Sequence, residues 1–107
     1  MIHHVALECE RGDADAHARF WTALGFAPVD PPESLRGRAA WYERAGIQIH
    51  LLWTDVPCAA GHVAIRVDDL DALDLEMEER ARHWGARRVY ARAPGGHTVE
   101  LFQDPPG

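Results

Sequence analysis

The chain has 107 residues, with 11 Lys+Arg against 17 Asp+Glu for a formal net charge of −6, and 47% hydrophobic against 26% charged residues. A chain this short has room for one globular core, and its acidic balance excludes phosphate backbones and anionic membrane surfaces as partners. Seven histidines are the one compositional oddity, and only their positions decide whether they bind anything.

No apolar run approaches the roughly 18 residues of a membrane span. The opening Met-Ile-His-His lacks the basic and apolar regions of a signal peptide, so the expected compartment is the cytoplasm. Cys9 and Cys58 lack C-x-x-C spacing, which leaves neither a disulfide framework nor a cysteine zinc site.

In chain order, period-two alternation predicts a first strand over 2–9, and an amphipathic helix follows from Asp13 to Leu24, with Ala16, Phe20, Trp21 and Leu24 on one face before Gly25. Strands are expected over 26–29, 39–45, 47–54 and 62–67, separated by turn residues such as Pro31-Pro32 and Ala45-Gly46. The Asp68-Asp69 pair then predicts a second helix, carrying Leu70, Leu73, Met77, Ala81 and Trp84 to a stop at Gly85. On that helix Glu76–Arg80 and Glu78–Arg82 form i,i+4 pairs, and the last strands occupy 88–92 and 97–102 around Pro94-Gly95-Gly96.

This order reads as a repeat. His4-Val5-Ala6-Leu7 returns as His62-Val63-Ala64-Ile65 at an offset of 58, and the helix-ending Gly25 returns as Gly85 at 60. His4 to His50 spans 46 positions and His62 to Glu100 spans 38, so the second half is eight residues shorter, about one strand and its turn. The expected fold is α+β: a single domain over 1–107 with module one at 1–54, a linker at 55–61 and module two at 62–107. Two modules of β-α-β-β-β order, the second one strand short, make up that domain.

Alternation then sorts the polar residues by face. Val5, Leu7 and Cys9 oppose His4; Ile47, Ile49, Leu51 and Trp53 oppose Gln48 and His50; Val63, Ile65 and Val67 oppose His62 and Arg66; Val99 and Leu101 oppose Glu100 and Phe102. His4, His50, His62 and Glu100 thus fall together on the face left open by the helices. Imidazole and carboxylate suit a divalent ion such as Zn, Ni, Co, Mn or Fe, with positions left for substrate. His3 points to the opposite face, His17 and His83 lie solvated on helices, and His97 sits at the mouth of the last hairpin, able to reach solvent or cleft. Trp53, Trp21 and Trp84 are expected in the core, Trp41 and Tyr42 add aromatic surface, and Cys58, with no base beside it, is no nucleophile.

An opening I-x-H-V-A-L, an L-G-F after the first helix, a G-H-V-A-I-x-V-D-D-L and a closing G-G-H-T-V-E-L together resemble the vicinal oxygen chelate superfamily, the group of glyoxalase I, methylmalonyl-CoA epimerase, fosfomycin-resistance thiol transferases, extradiol dioxygenases and bleomycin-resistance proteins. The resemblance implies two βαβββ-type modules that form a curled mixed sheet around an open cleft, with His4, His62 and Glu100 at the first, third and fourth metal-ligand positions and His50 at the second. Two features depart from the pattern: the shortened second module, and Ala93-Pro94-Gly95-Gly96-His97 where the family has a D-P-x-G-N hairpin.

The leading expectation is a metal-dependent isomerase, lyase or epimerase acting on a small oxygenated metabolite through a metal-stabilised enolate. Glu100 and His50 are the proton-moving candidates, and Gln48, Arg66 and Phe102 the substrate contacts, Arg66 through its planar fork. A metal-free binding protein that sequesters an antibiotic or other aromatic compound, using Glu8, Trp41 and Tyr42, is the alternative. An Fe(II) dioxygenase built on His4, His62 and Glu100 is a third, in which His50 crowds the open positions. The uncovered sheet edge of a trimmed module leads to the expectation of a homodimer.

Overall fold

The computed structural model describes residues 2–55 and 62–105; Cys58 and residues 56–61 of the expected linker lie outside them. Strand β1 (His4–Cys9) leads through a short 3-10 turn into helix α1 (Ala14–Ala23), then β2 (Ala27–Val29), β3 (Ala39–Arg44) and β4 (Ile47–Trp53). The second half holds β5 (His62–Arg66), β6 (Glu78–Glu79), β7 (Arg88–Arg92) and β8 (Thr98–Phe102). They form two four-stranded sheets, ordered β1-β4-β3-β2 and β5-β8-β7-β6. In each the first strand runs parallel to the last, and the other pairs are antiparallel. The α+β architecture with a βαβββ-like first half is as expected.

Local chemistry sets the boundaries. At the end of α1, Gly25 takes φ 85, its N–H donating to the Thr22 carbonyl while that of Phe26 donates to Trp21. These are the two bonds of a Schellman cap, which favours glycine. Between β3 and β4, Ala45 and Gly46 both take positive φ, the two-residue turn whose twist matches a hairpin. That turn sets the register Trp41↔His50 and Glu43↔Gln48.

The second half departs from the sequence reading. Residues 68–84 form no α-helix and so none of its expected i,i+4 pairs. Asp69 caps a single 3-10 turn, Leu70–Ala72, by accepting from the Asp71 N–H. The chain then runs extended, with Leu73, Leu75 and Met77 packing on the core, and pairs as β6 with β7. Leu73, Leu75 and Met77 obey a period of two as well as part of the helical pattern. The strand reading prevails because the free edge of β7 supplies backbone partners, while Asp71 and Asp74 are poor interior helix residues. The second sheet therefore has its four strands, and the eight missing residues are taken from the helix. Arg80 pairs with Glu78, and Arg87 bridges Asp71 and Glu79. Trp84 is half-buried, donating to the Asp104 carbonyl at 2.8 Å.

One core serves both sheets. Phe20 and Trp21 of α1 join Cys9, Ile49 and Leu51 of the first sheet and Val89, Val99 and Leu101 of the second in one buried cluster. His17, expected in solvent, has no exposed surface. It accepts from the Trp21 indole at 3.2 Å, so its proton sits on Nε2, which is buried without a partner. His97 reaches neither solvent nor cleft: it is buried and its Nε2 bonds the Glu8 carbonyl at 2.7 Å. Among the described residues, no helix is long and apolar enough to cross a membrane.

Burial lowers the His17 pKa from 6.5, and nearby His97 adds to the effect while Asp13 opposes it. Between the lowered folded value and 6.5 the unfolded chain binds more protons, so stability is full above that window and is lost as pH falls through it. The urea midpoint is expected to drop between about pH 7.5 and about pH 5.5, and to drop less in a His17→Gln variant. Equal drops would place the acid sensitivity elsewhere.

Candidate functional site

On the first sheet, the register opposes Trp41 to His50 and puts both on the face of His4. The rings stack: His50 lies 3.7 Å from Trp41 at 2° and 4.0 Å from His4 at 14°. His3, expected on the other face, turns back to this cluster. Its Nδ1 lies 3.0 Å from that of His4, and its ring stands edge-on to both His4 and His50. Alternation failed here because His3 precedes the first strand residue and is not bound by its pleat.

Burial lowers the His50 pKa, and His4 and His3 push it the same way. The Gln48 amide N–H donates to Glu43 at 3.0 Å, and its oxygen accepts from His50 Nε2 at 2.7 Å. That chain puts the His50 proton on Nε2 and leaves the lone pair on Nδ1. Gln48, expected as a substrate contact, is committed to orienting His50.

On the second sheet, His62 and Glu100 come together, Nε2 to Oε1 at 3.6 Å. The same oxygen accepts from Arg88 Nη2 at 2.9 Å. Arg88 and Glu100 side chains are only 7% and 8% exposed. Arg88 also donates to the Ala81 carbonyl and the Tyr90 hydroxyl, and its guanidinium lies over the rings of Tyr90 and Trp84. The hydrogen bond that Arg88 donates to Glu100 raises the Arg88 pKa further. Sequence reasoning missed Arg88 and Tyr90, although the alternation of 88, 90 and 92 opposite Glu100 puts them on its face. Arg66 donates Nε to the Gln103 carbonyl at 3.0 Å, and Phe102 packs edge-on against Trp84.

The candidate ligands thus stand as two pairs, His4 with His50 and His62 with Glu100. Among the described residues, no three His, Cys, Asp or Glu are arranged to hold a metal ion. Each pair nonetheless keeps an open donor. Both contacts of Glu100 fall on Oε1, leaving Oε2, and the His62 side chain is 45% exposed. His50 keeps Nδ1 open, because Gln48 holds its Nε2. Neutral imidazole and carboxylate are donors that fit a divalent cation.

The Arg88–Glu100 pair makes a testable demand. Removing either partner leaves a buried charge without its counter-ion, whereas removing both does not. Arg88→Met and Glu100→Gln should each lower the urea midpoint, and the double variant should lie above the sum of the two losses. Additive losses would mean that the pair is not coupled.

The glyoxalase-like domain family matches residues 4–107. A glyoxylase I protein of Arabidopsis thaliana is 28% identical over 121 aligned positions, covering 99% of this chain and 66% of that protein. This chain therefore spans about two thirds of that relative's length. Among solved structures, a protein of Bacillus anthracis assigned to the glyoxalase family superposes with a TM-score of 0.84 at 22% identity, covering 98% of this chain and 95% of that one. The lactoylglutathione lyase of Agrobacterium tumefaciens gives 0.69 at 21%, covering 96% and 92%. The fosfomycin resistance protein of Listeria monocytogenes, solved with Mn(II) and a dihydroxypropylphosphonic acid, gives 0.74 at 21%, covering 98% and 90%. The last three likenesses establish the fold, and the family match over nearly the whole chain establishes the kinship: this chain belongs to the glyoxalase-like domain family of the vicinal oxygen chelate superfamily.

Proposed function

We propose that the chain is a divalent-metal-dependent isomerase, lyase or epimerase of a small oxygenated metabolite, with His4, His50, His62 and Glu100 as its ligand set. The observation that carries this reading is the pairing of an open imidazole with an arginine-held carboxylate, His62 with Glu100, apart from the second imidazole pair. Two such half-sets complete one another when a second copy of the chain supplies the missing pair, which makes a homodimer part of the proposal.

A divalent ion bound there would polarise a substrate carbonyl and stabilise the enolate that forms when an adjacent proton leaves. The protein's own groups do the rest. Arg88 pins Oε1 of Glu100, so Oε2 is the atom left to act, holding the ion or, once released from it, a proton. His50 offers a second such atom, Nδ1, because Gln48 holds Nε2 and Glu43 holds Gln48. An imidazolium formed at Nδ1 would keep its Nε2–H bonded to the amide. Phe102, braced by Trp84, gives the substrate an apolar surface, and Arg66 offers its remaining N–H groups to a substrate anion.

Metal analysis and calorimetry on untagged protein test this. Divalent metal is expected to bind the wild-type chain and to be lost from His62→Ala and Glu100→Ala; equal, negligible metal in all three would leave binding without metal chemistry, as in a sequestration protein. Light scattering at micromolar concentration should give the mass of two chains, and a single-chain mass would remove the shared site.

A further inference from the structure

The first half has a helix over the core face of its sheet, and the described residues of the second half form no α-helix. The uncovered part of the shared core is a cavity of about 500 Å³. Its walls are core-facing residues of both halves: Val5, Ile47 and Ile49 from the first sheet, Val63 and Ile65 from the second, and Phe26 after α1. Such a volume and such walls are those of a small-molecule pocket.

Its rim has a different chemistry. Arg44 and Arg66 both line the cavity, with His62 beside them. Arg44 donates Nη1 to the Arg66 carbonyl at 2.7 Å, and Arg66 donates Nε to the Gln103 carbonyl at 3.0 Å. Each guanidinium is thereby fixed to the main chain by one of its five N–H groups and has others to offer. Two positioned guanidinium groups at the edge of an apolar chamber match a molecule with an apolar body and one carboxylate, which the planar fork binds in bidentate fashion.

We infer that the helix-free side of the second half is a binding site for an apolar carboxylate, its body among Val5, Ile49, Val63 and Ile65 and its anionic end at Arg66 and Arg44. The site extends the role given above to Arg66 and needs no bound metal. Loss of the helix thus opens a ligand seat in the core without losing the second sheet.

Calorimetry of wild-type protein in EDTA, titrated with decanoate, 1-decanol and decyltrimethylammonium, tests the inference apart from the metal reading. Decanoate is expected to bind with one site per chain, at least about tenfold more tightly than decanol, and the cation not at all. Arg66→Gln should bring decanoate down to the level of decanol. Val63→Trp, which fills the chamber, should abolish both, with circular dichroism confirming that each variant is folded. No decanoate binding in EDTA, equal binding of acid and alcohol to the wild type, or undiminished binding by folded Val63→Trp would each overturn the inference. Decanoate binding that vanishes as two chains associate would assign the cavity to a second copy and overturn it likewise. Metal binding to His62 and Glu100 without decanoate binding would fail this inference alone.

Discussion

Trp21 has no exposed surface, and the rest of the architecture is organised around the reason. A four-stranded sheet with one apolar face needs something laid over that face, yet the described residues form two such sheets and a single α-helix. The solution is a shared core, in which α1 brings Phe20 and Trp21 to a cluster fed by the core faces of both sheets. His17 is drawn into the interior by the same packing, as the hydrogen-bond acceptor that satisfies the buried indole. Where α1 does not reach, extended chain carrying Leu73, Leu75 and Met77 covers part of the second sheet, and the remainder is left as the apolar chamber.

The opposite faces carry the chemistry, and their electrostatics differ. On the first sheet three imidazoles and an indole crowd together, an arrangement in which burial, and after it the neighbouring His4 and His3, lowers the pKa of His50. On the second, a guanidinium and a carboxylate are sealed beneath aromatic rings, an arrangement in which charge is kept and directed. The imidazole cluster and the charged pair thus lie on separate sheets of one fold.

Much of this was legible in the sequence. Strand alternation is a local steric property, so it located β1, β3, β4, β5, β7 and β8 and assigned His4, His50, His62 and Glu100 to faces that the register bears out. Gly25 marked the end of α1 for an equally local reason. The misreadings share another cause. Leu70, Leu73 and Met77 suit a helix until the edge of β7 enters, and His17 looks solvated until Trp21 needs an acceptor. Arg88 looks like an ordinary strand arginine until Glu100 is placed across from it. Each depends on a partner that only the folded chain supplies, as does the division of the four candidate ligands into two pairs, which no spacing encodes.

The bond from His97 to the Glu8 carbonyl joins residues 89 positions apart, and it bears on how the molecule comes to exist. β1 has two ties distant in the chain, its sheet partner β4 and the hairpin between β7 and β8. The first needs the chain as far as Trp53 and the second as far as His97. Closing so long a loop is slow compared with forming a local hairpin, so β3 and β4 can assemble early while β1 docks late. His4 therefore reaches its stacked place on His50 after the β3–β4 hairpin that carries His50 has formed.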